Sequence, residues 1–159
     1  MTLDLATGRT AGPPTAVKLL GDLAPIYGEV DDPGHVVYEI YGEPNQDDLD
    51  PPKLLYATTV LQPGRANGRP FMTRGHFHKK PERGEIVLTL AGVGLLLLVD
   101  REGNTKTEAM FPGVISDIDG RWAHRVVNTG DSPLVFFVTW MSDCGHEYGT
   151  IPFPEVEYL

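Results

Sequence analysis

The chain is expected to be all-β, folded as a small barrel or jelly roll, and three features of its 159 residues predict this. Short runs of β-branched, aromatic and aliphatic residues recur along it, eight or more of them. Glycine (18) and proline (14) are both abundant and lie between those runs rather than in one segment. No stretch carries a long apolar periodicity of 3.6 residues, so helices have little to pack with. Many short strands separated by turn residues form a barrel or jelly roll, because closure removes the unpaired edges of an open sheet.

Taken in order, residues 1–30 read as an N-terminal arm. The first 16 are polar, with Gly8, Gly12 and Pro13-Pro14, and a helical turn follows over residues 18–23, kept short by Gly21 and Pro25. The barrel is expected over residues 35–142 and a C-terminal tail over residues 143–159, packed along the outside, all in one domain. Residues 35–41 (HVVYEIY) form a strand, residues 45–52 an acidic surface loop, and residues 53–61 (KLLYATTVL) a second strand closed by Gln62-Pro63-Gly64. Residues 71–78 are the third strand. Residues 85–91 and 94–100 are two runs broken near Ala91-Gly92-Val93-Gly94 and read as a hairpin. Strands over 105–111, 114–118 and 125–127 follow, parted by Pro112-Gly113 and by the segment before Arg125. The last, residues 134–141 (LVFFVTWM), is strongly apolar and comes after the turn Asn128-Thr129-Gly130-Asp131.

Composition narrows the class of protein. A net charge of −9 and a pI near 4.9 exclude a basic nucleic-acid surface and an anionic membrane patch. Cys144 is the single cysteine, so no internal disulfide forms and a reducing, cytoplasmic setting is expected. The first 30 residues contain Asp4, Asp22 and the proline pair and no cleavable apolar core, so no signal peptide is expected. The longest uncharged run, residues 86–99, is too short to span a bilayer as a helix. Apolar strands such as residues 95–98 and Phe136-Phe137 suit a core or a subunit contact, and a homodimer is expected.

The chemistry concentrates in residues 73–92 (TRGHFHKKPERGEIVLTLAG). In a strand, residues i and i+2 face the same way, so His76 and His78 aim two imidazoles into one space while Phe77 points oppositely. The polar turn over residues 79–84 then returns the chain, so that Glu85 brings a carboxylate back beside them. His124, far downstream, adds a third imidazole. Three imidazoles and one carboxylate make a shell for a divalent metal with positions left open for water or substrate. Lys79, Lys80 and Arg83 add positive charge near this site or form an ordinary solvated turn, and strand alternation turns Arg125 away from it. Cys144 has no activating neighbour and reads as a shielded thiol.

The residues His76, His78, Glu85 and Gly92, in the pattern H-x-H, a glutamate, six residues and glycine, resemble the first motif of the cupins. Gly113, His124 and Asn128 match part of the second, with Asp119 and Arg121 where Pro and Gly are usual. The long step from His78 to Glu85, together with T-x-G-H-F-H, W-A-H-R-x-V-N-x-G-D and G-H-E-Y-G-T-I, is similar to the cupin-type phosphoglucose isomerases over residues 38–151. The resemblance implies a cupin fold, a small double-stranded β-helix, and metal ligands His76, His78, Glu85 and His124. Glu82 is the rival carboxylate, but only Glu85 is followed by the six-residue step to Gly92. The resemblance further implies substrate-phosphate contacts at Thr59, Thr73 and Gly75, and matches His146 and Tyr148 to the family's G-H-[DE]-Y-G signature. Two positions depart from it: Val87 and Trp140 stand where the family has pocket tyrosines.

The implied activity is a metal-dependent aldose–ketose isomerisation between glucose 6-phosphate and fructose 6-phosphate, a glycolytic and gluconeogenic step. Glu85, Tyr148 and His146 are the candidates for moving the proton between C1 and C2, and a hydride shift is the alternative. Fe(II) or Mn(II) is expected, with Ni(II) and Zn(II) also compatible with an N3O shell. Thr73 and Gly75 are donors for a phosphate or, equally, a strand threonine and a bulge glycine. Tyr148 and His146 are proton-transfer groups or anchors of the tail. The departures at Val87 and Trp140 keep three rivals in view: isomerisation or epimerisation of another sugar, a metal-dependent dioxygenase, and a sugar- or metal-binding cupin without turnover.

Overall fold

Burial alternates with a period of two along Glu85–Ala91: Glu85, Val87 and Thr89 are buried, and Ile86 between them is exposed. That is the signature of a strand with one face on a core. The structure, a computed structural model, describes residues 2–42 and 49–155, and strands make up nearly all of its regular secondary structure. In chain order they are β1 (Ala16–Leu19), then a 3-10 turn (Gly21–Leu23) and the one-turn helix α1 (Ala24–Tyr27), β2 (Val36–Gly42), β3 (Leu54–Leu61), β4 (Arg65–Ala66), β5 (Arg69–Pro70), β6 (Phe77–His78), β7 (Glu85–Ala91), β8 (Gly94–Val99), β9 (Thr105–Met110), β10 (Ile115–Ile118), β11 (Ala123–Asn128), β12 (Leu134–Met141) and β13 (His146–Glu147).

A six-stranded antiparallel sheet in the order β1-β2-β3-β12-β7-β10 and a three-stranded sheet β11-β8-β9 enclose the core, and the pair β13-β6 lies beside them. Leu61 and Leu134 from the larger sheet meet Leu96, Leu97 and Met110 from the smaller, all at most 1% exposed. Each such side chain contributes about 1.5–3 kcal/mol by leaving water. Leu23 and Tyr27 cap the same core from the N-terminal segment. The Tyr27 hydroxyl donates to the Pro70 carbonyl (2.9 Å) and accepts from the Met72 N–H (3.0 Å), tying that segment to the chain that leads into the histidines.

The all-β expectation holds, and the structure changes four details of it. Residues 1–30 are no loose arm, because β1 extends the main sheet by pairing Ala16 with Ile40 and Lys18 with Tyr38. The helical turn expected at 18–23 is displaced to Gly21–Tyr27, since Lys18 and Leu19 are taken up by that pairing. Residues 85–91 and 94–99 are not a hairpin. β7 already has β12 and β10 on its two edges, so β8 crosses to the other sheet and pairs with β11 and β9. The third strand is reduced to β6 and isolated bridges at Met72–Val127 and His76–His124. Residues 45–48 of the expected loop at 45–52 lie outside the described residues. Among the described residues, no helix is long and apolar enough to cross a membrane.

Candidate active site

Antiparallel pairing assembles the histidine–carboxylate group. The His76 N–H donates to the His124 carbonyl (3.3 Å) and the His124 N–H to the His76 carbonyl (3.1 Å), bringing segments far apart in sequence side by side. β6 then sends His78 to the same side as His76 and buries Phe77 oppositely against Val99 and Ala123. One ligand atom from each of His76, His78, Glu85 and His124 lies within 4.8 Å of every other. Nε2 of His78 is 3.4 Å from one Glu85 oxygen and Nε2 of His124 is 3.4 Å from the other. These approaches lack hydrogen-bond geometry for His78. Its Nε2 and that of His76 are buried with no hydrogen-bond partner among the described residues. Buried polar atoms left that way are costly, and a shared cation at their common focus satisfies them. The donor set therefore fits a divalent metal ion.

The electrostatics agree. Burial, reinforced by His124, His146 and His78, holds the His76 imidazole well below its ordinary pKa, and burial likewise lowers His124. Burial works to raise Glu85, but the neighbouring His124 and His78 outweigh it and the carboxyl sits below its ordinary value. At His78 burial is outweighed by the Glu85 carboxylate, so its pKa is raised. An ionised carboxylate among largely neutral imidazoles is the protonation state metal ligation needs.

His78 is also oriented from behind. Its Nδ1 lies 2.5 Å from the Arg83 carbonyl, which can only accept, so Nδ1 carries the proton and Nε2 presents its lone pair to the site. The carbonyl is fixed in turn. Arg83 binds Asp143 through Nε (3.0 Å) and Nη2 (2.9 Å), and Lys80 joins the same carboxylate at 2.9 Å. Gly120 lets the turn seat, because a Cβ there would lie 2.1 Å from the Arg83 oxygen. The turn cations thus brace a ligand through Asp143. Glu82 is exposed at the tip of this turn and is outside the ligand group, whereas Glu85 is buried in it.

A cavity of about 330 Å³ opens onto these ligands, and Thr59, Thr73, Gly75, Val87, Trp140, His146 and Tyr148 all line it. The Thr73 hydroxyl accepts from the Val126 N–H (3.0 Å), and the same residue's N–H donates to the Val126 carbonyl. Gly75 has a φ of +75°, and a Cβ there would strike the Phe153 ring at 2.7 Å, so glycine is required on backbone grounds alone. Trp140 is the β12 partner of Glu85, and its Nε1 is buried with no hydrogen-bond partner among the described residues. The tail does not simply run along the outside: β13 pairs His146 with His78 and sets its ring 4.5 Å from that of His76. Tyr148 follows, 5.5 Å from His76, with the Arg74 guanidinium 4.4 Å over its ring. Arg125 points away, over Phe153. Cys144 is buried. Lys18, Tyr38 and Arg74 are among the lining residues that escaped the sequence reading. Arg74 stood in plain view between Thr73 and Gly75, whereas Lys18 gave no signal until β1 was placed in the sheet.

A family-wide profile described as "Glucose-6-phosphate isomerase (GPI)" matches residues 23–155. The chain belongs to the cupin-type glucose-6-phosphate isomerase family. Glucose-6-phosphate isomerase of Thermococcus onnurineus is 41% identical over 156 residues, covering 94% of this chain and 81% of the relative. That of Pyrococcus furiosus is 38% identical over 161 residues, covering 94% and 82%. Among solved structures, an oxalate oxidase superposes with a TM-score of 0.55 at 16% identity, covering 70% of this chain and 55% of that one. The Lactobacillus farciminis oxalate decarboxylase gives 0.53 at 18%, covering 70% and 30%. At that identity the solved structures establish the cupin fold this family member shares and nothing about its reaction.

Proposed function

We propose that this family member is a metal-dependent isomerase interconverting glucose 6-phosphate and fructose 6-phosphate, and that its 159 residues act as one domain in doing so. The observation that carries the reading is the convergence of His76, His78, Glu85 and His124 at the wall of a 330 Å³ cavity, a volume suited to a hexose phosphate. When bound by these four residues, Fe(II) or Mn(II) supplies a Lewis acid toward the oxygens of C1 and C2. The chain's own groups do the rest. Glu85, ionised and buried, takes the proton from one carbon and returns it to the other. His146 and Tyr148, stacked with centroids 6.1 Å apart beside His76, hydrogen-bond the sugar hydroxyls and hold the reacting end still. Val87, Val126 and Phe136 exclude water from the carbons that exchange the proton. Thr59, Thr73 and Gly75 contact the substrate phosphate, and Trp140 offers a single N–H beside Glu85.

The test is a coupled assay of fructose 6-phosphate conversion on protein stripped with chelator and reloaded separately with Fe(II), Mn(II), Ni(II) and Zn(II). Turnover restored by Fe(II) or Mn(II) is expected. Metal uptake with no turnover on either hexose phosphate overturns the reading.

A further inference from the structure

We propose that Arg101 and Phe153 clasp residues 146–155 as a strap beside the cavity and are, through it, positioning residues for His146 and Tyr148. The consequence for turnover rests on the isomerase reading. His146 and Tyr148 line the cavity, yet the strand that delivers them, β13, is two residues long. Residues 147–150 are all exposed, and Tyr148 is 48% exposed although its ring lies 5.5 Å from that of His76. A two-residue strand pair does not by itself offset the entropy of fixing an exposed segment, so the placement of these two rings needs anchors.

The first anchor is Arg101, in the turn between β8 and β9. In the β13–β6 pair His146 stands opposite His78, on the side of the ligands, and Glu147 stands opposite Phe77, on the other side. Arg101 spans that second pair. Its Nη1 donates to one Glu147 oxygen (3.3 Å) and its Nη2 to the other (2.9 Å), while its guanidinium lies 4.3 Å over the Phe77 ring. One side chain thus touches a residue of each strand and staples β13 to β6 behind His146. The second anchor, Phe153, holds the far end of the strap. Its ring meets the Arg125 guanidinium, 4.2 Å from the centroid, and approaches Gly75 so closely that a Cβ there would come within 2.7 Å of it. Phe153 and Ile151 also pack against the cluster of Phe77, Val99 and Ala123, so both anchors share the seat that Phe77 provides. Arg101, Glu147 and Phe153 are not among the described residues that line the cavity, so they act through the strap and not on the substrate. Arg101 and Glu147 are about half exposed, and such a pair adds little to global stability. Its loss is expected to appear in the strap and not in the melting temperature.

The experiment compares the wild type with Arg101→Met, Phe153→Ala, His146→Ala and the double variant of Arg101→Met with His146→Ala, all as metal-loaded full chains. Metal content and melting temperature are checked in each. Arg101→Met is expected to leave both unchanged and to speed amide hydrogen exchange over residues 146–150 roughly tenfold. It is expected to lower kcat for fructose 6-phosphate roughly fivefold, with KM moving less, because the rings that hold the reacting end lose their placement. Phe153→Ala is expected to speed exchange over the same residues, and Arg101→Lys, which keeps the charge without the fork, to recover part of the activity. Because Arg101 acts through His146, the double variant is expected to be no slower than His146→Ala alone. Wild-type exchange over residues 146–150 in both Arg101→Met and Phe153→Ala overturns the proposal. So does faster exchange with an unchanged kcat, or an Arg101→Met loss that adds in full to that of His146→Ala. Exchange is read without turnover, so faster exchange in variants of a protein that isomerises neither hexose phosphate supports the clasp and removes the isomerase reading. Turnover in the wild type with exchange unchanged in the variants does the reverse.

Discussion

Asp143 shows how a residue outside the ligand group controls it. Its carboxylate gathers Arg83 and Lys80, and the Arg83 carbonyl fixes the proton on His78 Nδ1. Arg83 first and Lys80 next hold the Asp143 pKa at about 2, against an ordinary value of 3.8. A depressed folded-state pKa stabilises the fold above the unfolded value and loses that stabilisation as pH falls through the folded one. Asp143→Asn is therefore expected to unfold more easily than the wild type at pH values above 3.8, with the difference vanishing as the pH drops through about 2, as chemical denaturation across a pH series will show. The same substitution is expected to weaken metal binding about tenfold, because it frees the carbonyl that orients His78. His78 itself was legible in the sequence through strand alternation. Asp143 was not, since nothing in a linear reading links it to the turn over 79–84.

The turn between β6 and β7 depends on close backbone approach. A methyl group on Gly120 would sit 2.1 Å from the Arg83 oxygen, and one on Gly84 would sit 2.7 Å from the Ile118 oxygen. Gly120→Ala is expected to cost about 1–3 kcal/mol by forcing the two loops apart. It should also shrink the rise in melting temperature that Mn(II) produces in the wild type, a comparison made by thermal denaturation with and without the ion. Elements with strong local patterns were legible: Leu134–Met141 was read to the residue, and Glu85–Ala91 likewise. Elements whose partners are remote were not. β1 is four residues in a glycine- and proline-rich segment, and only the open edge of β2 makes it a strand. β13 has two residues, and it is their pairing with β6 that brings His146 to the site. The hairpin expected at Ala91–Gly94 failed for the converse reason, since a turn signal says where the chain bends and not which sheet it enters.

On the scale of the whole molecule, the outer face of the large sheet carries an apolar patch. Phe137 is flanked by Leu88 on β7, and Leu88 by Ile115 on β10, which is 67% exposed, while Tyr56 stacks on Phe137. Thr139 and Asp117, both paired with Ile86, share this face, so the apolar patch is bounded by polar residues, and we propose it as the contact of a homodimer. Sedimentation of the wild type is expected to give a dimer and of Ile115→Arg a monomer; a variant that remains dimeric would move the contact elsewhere. The inner face lines the cavity onto which the four candidate ligands open. The most direct test of the account is to measure metal content and fructose 6-phosphate turnover in the same preparations of the wild type and His78→Ala after chelation and reloading with Mn(II). About one ion per chain with turnover in the wild type, and loss of both in the variant, is the predicted result. A variant that keeps its ion and its activity would contradict the central claim that His76, His78, Glu85 and His124 form the catalytic metal shell.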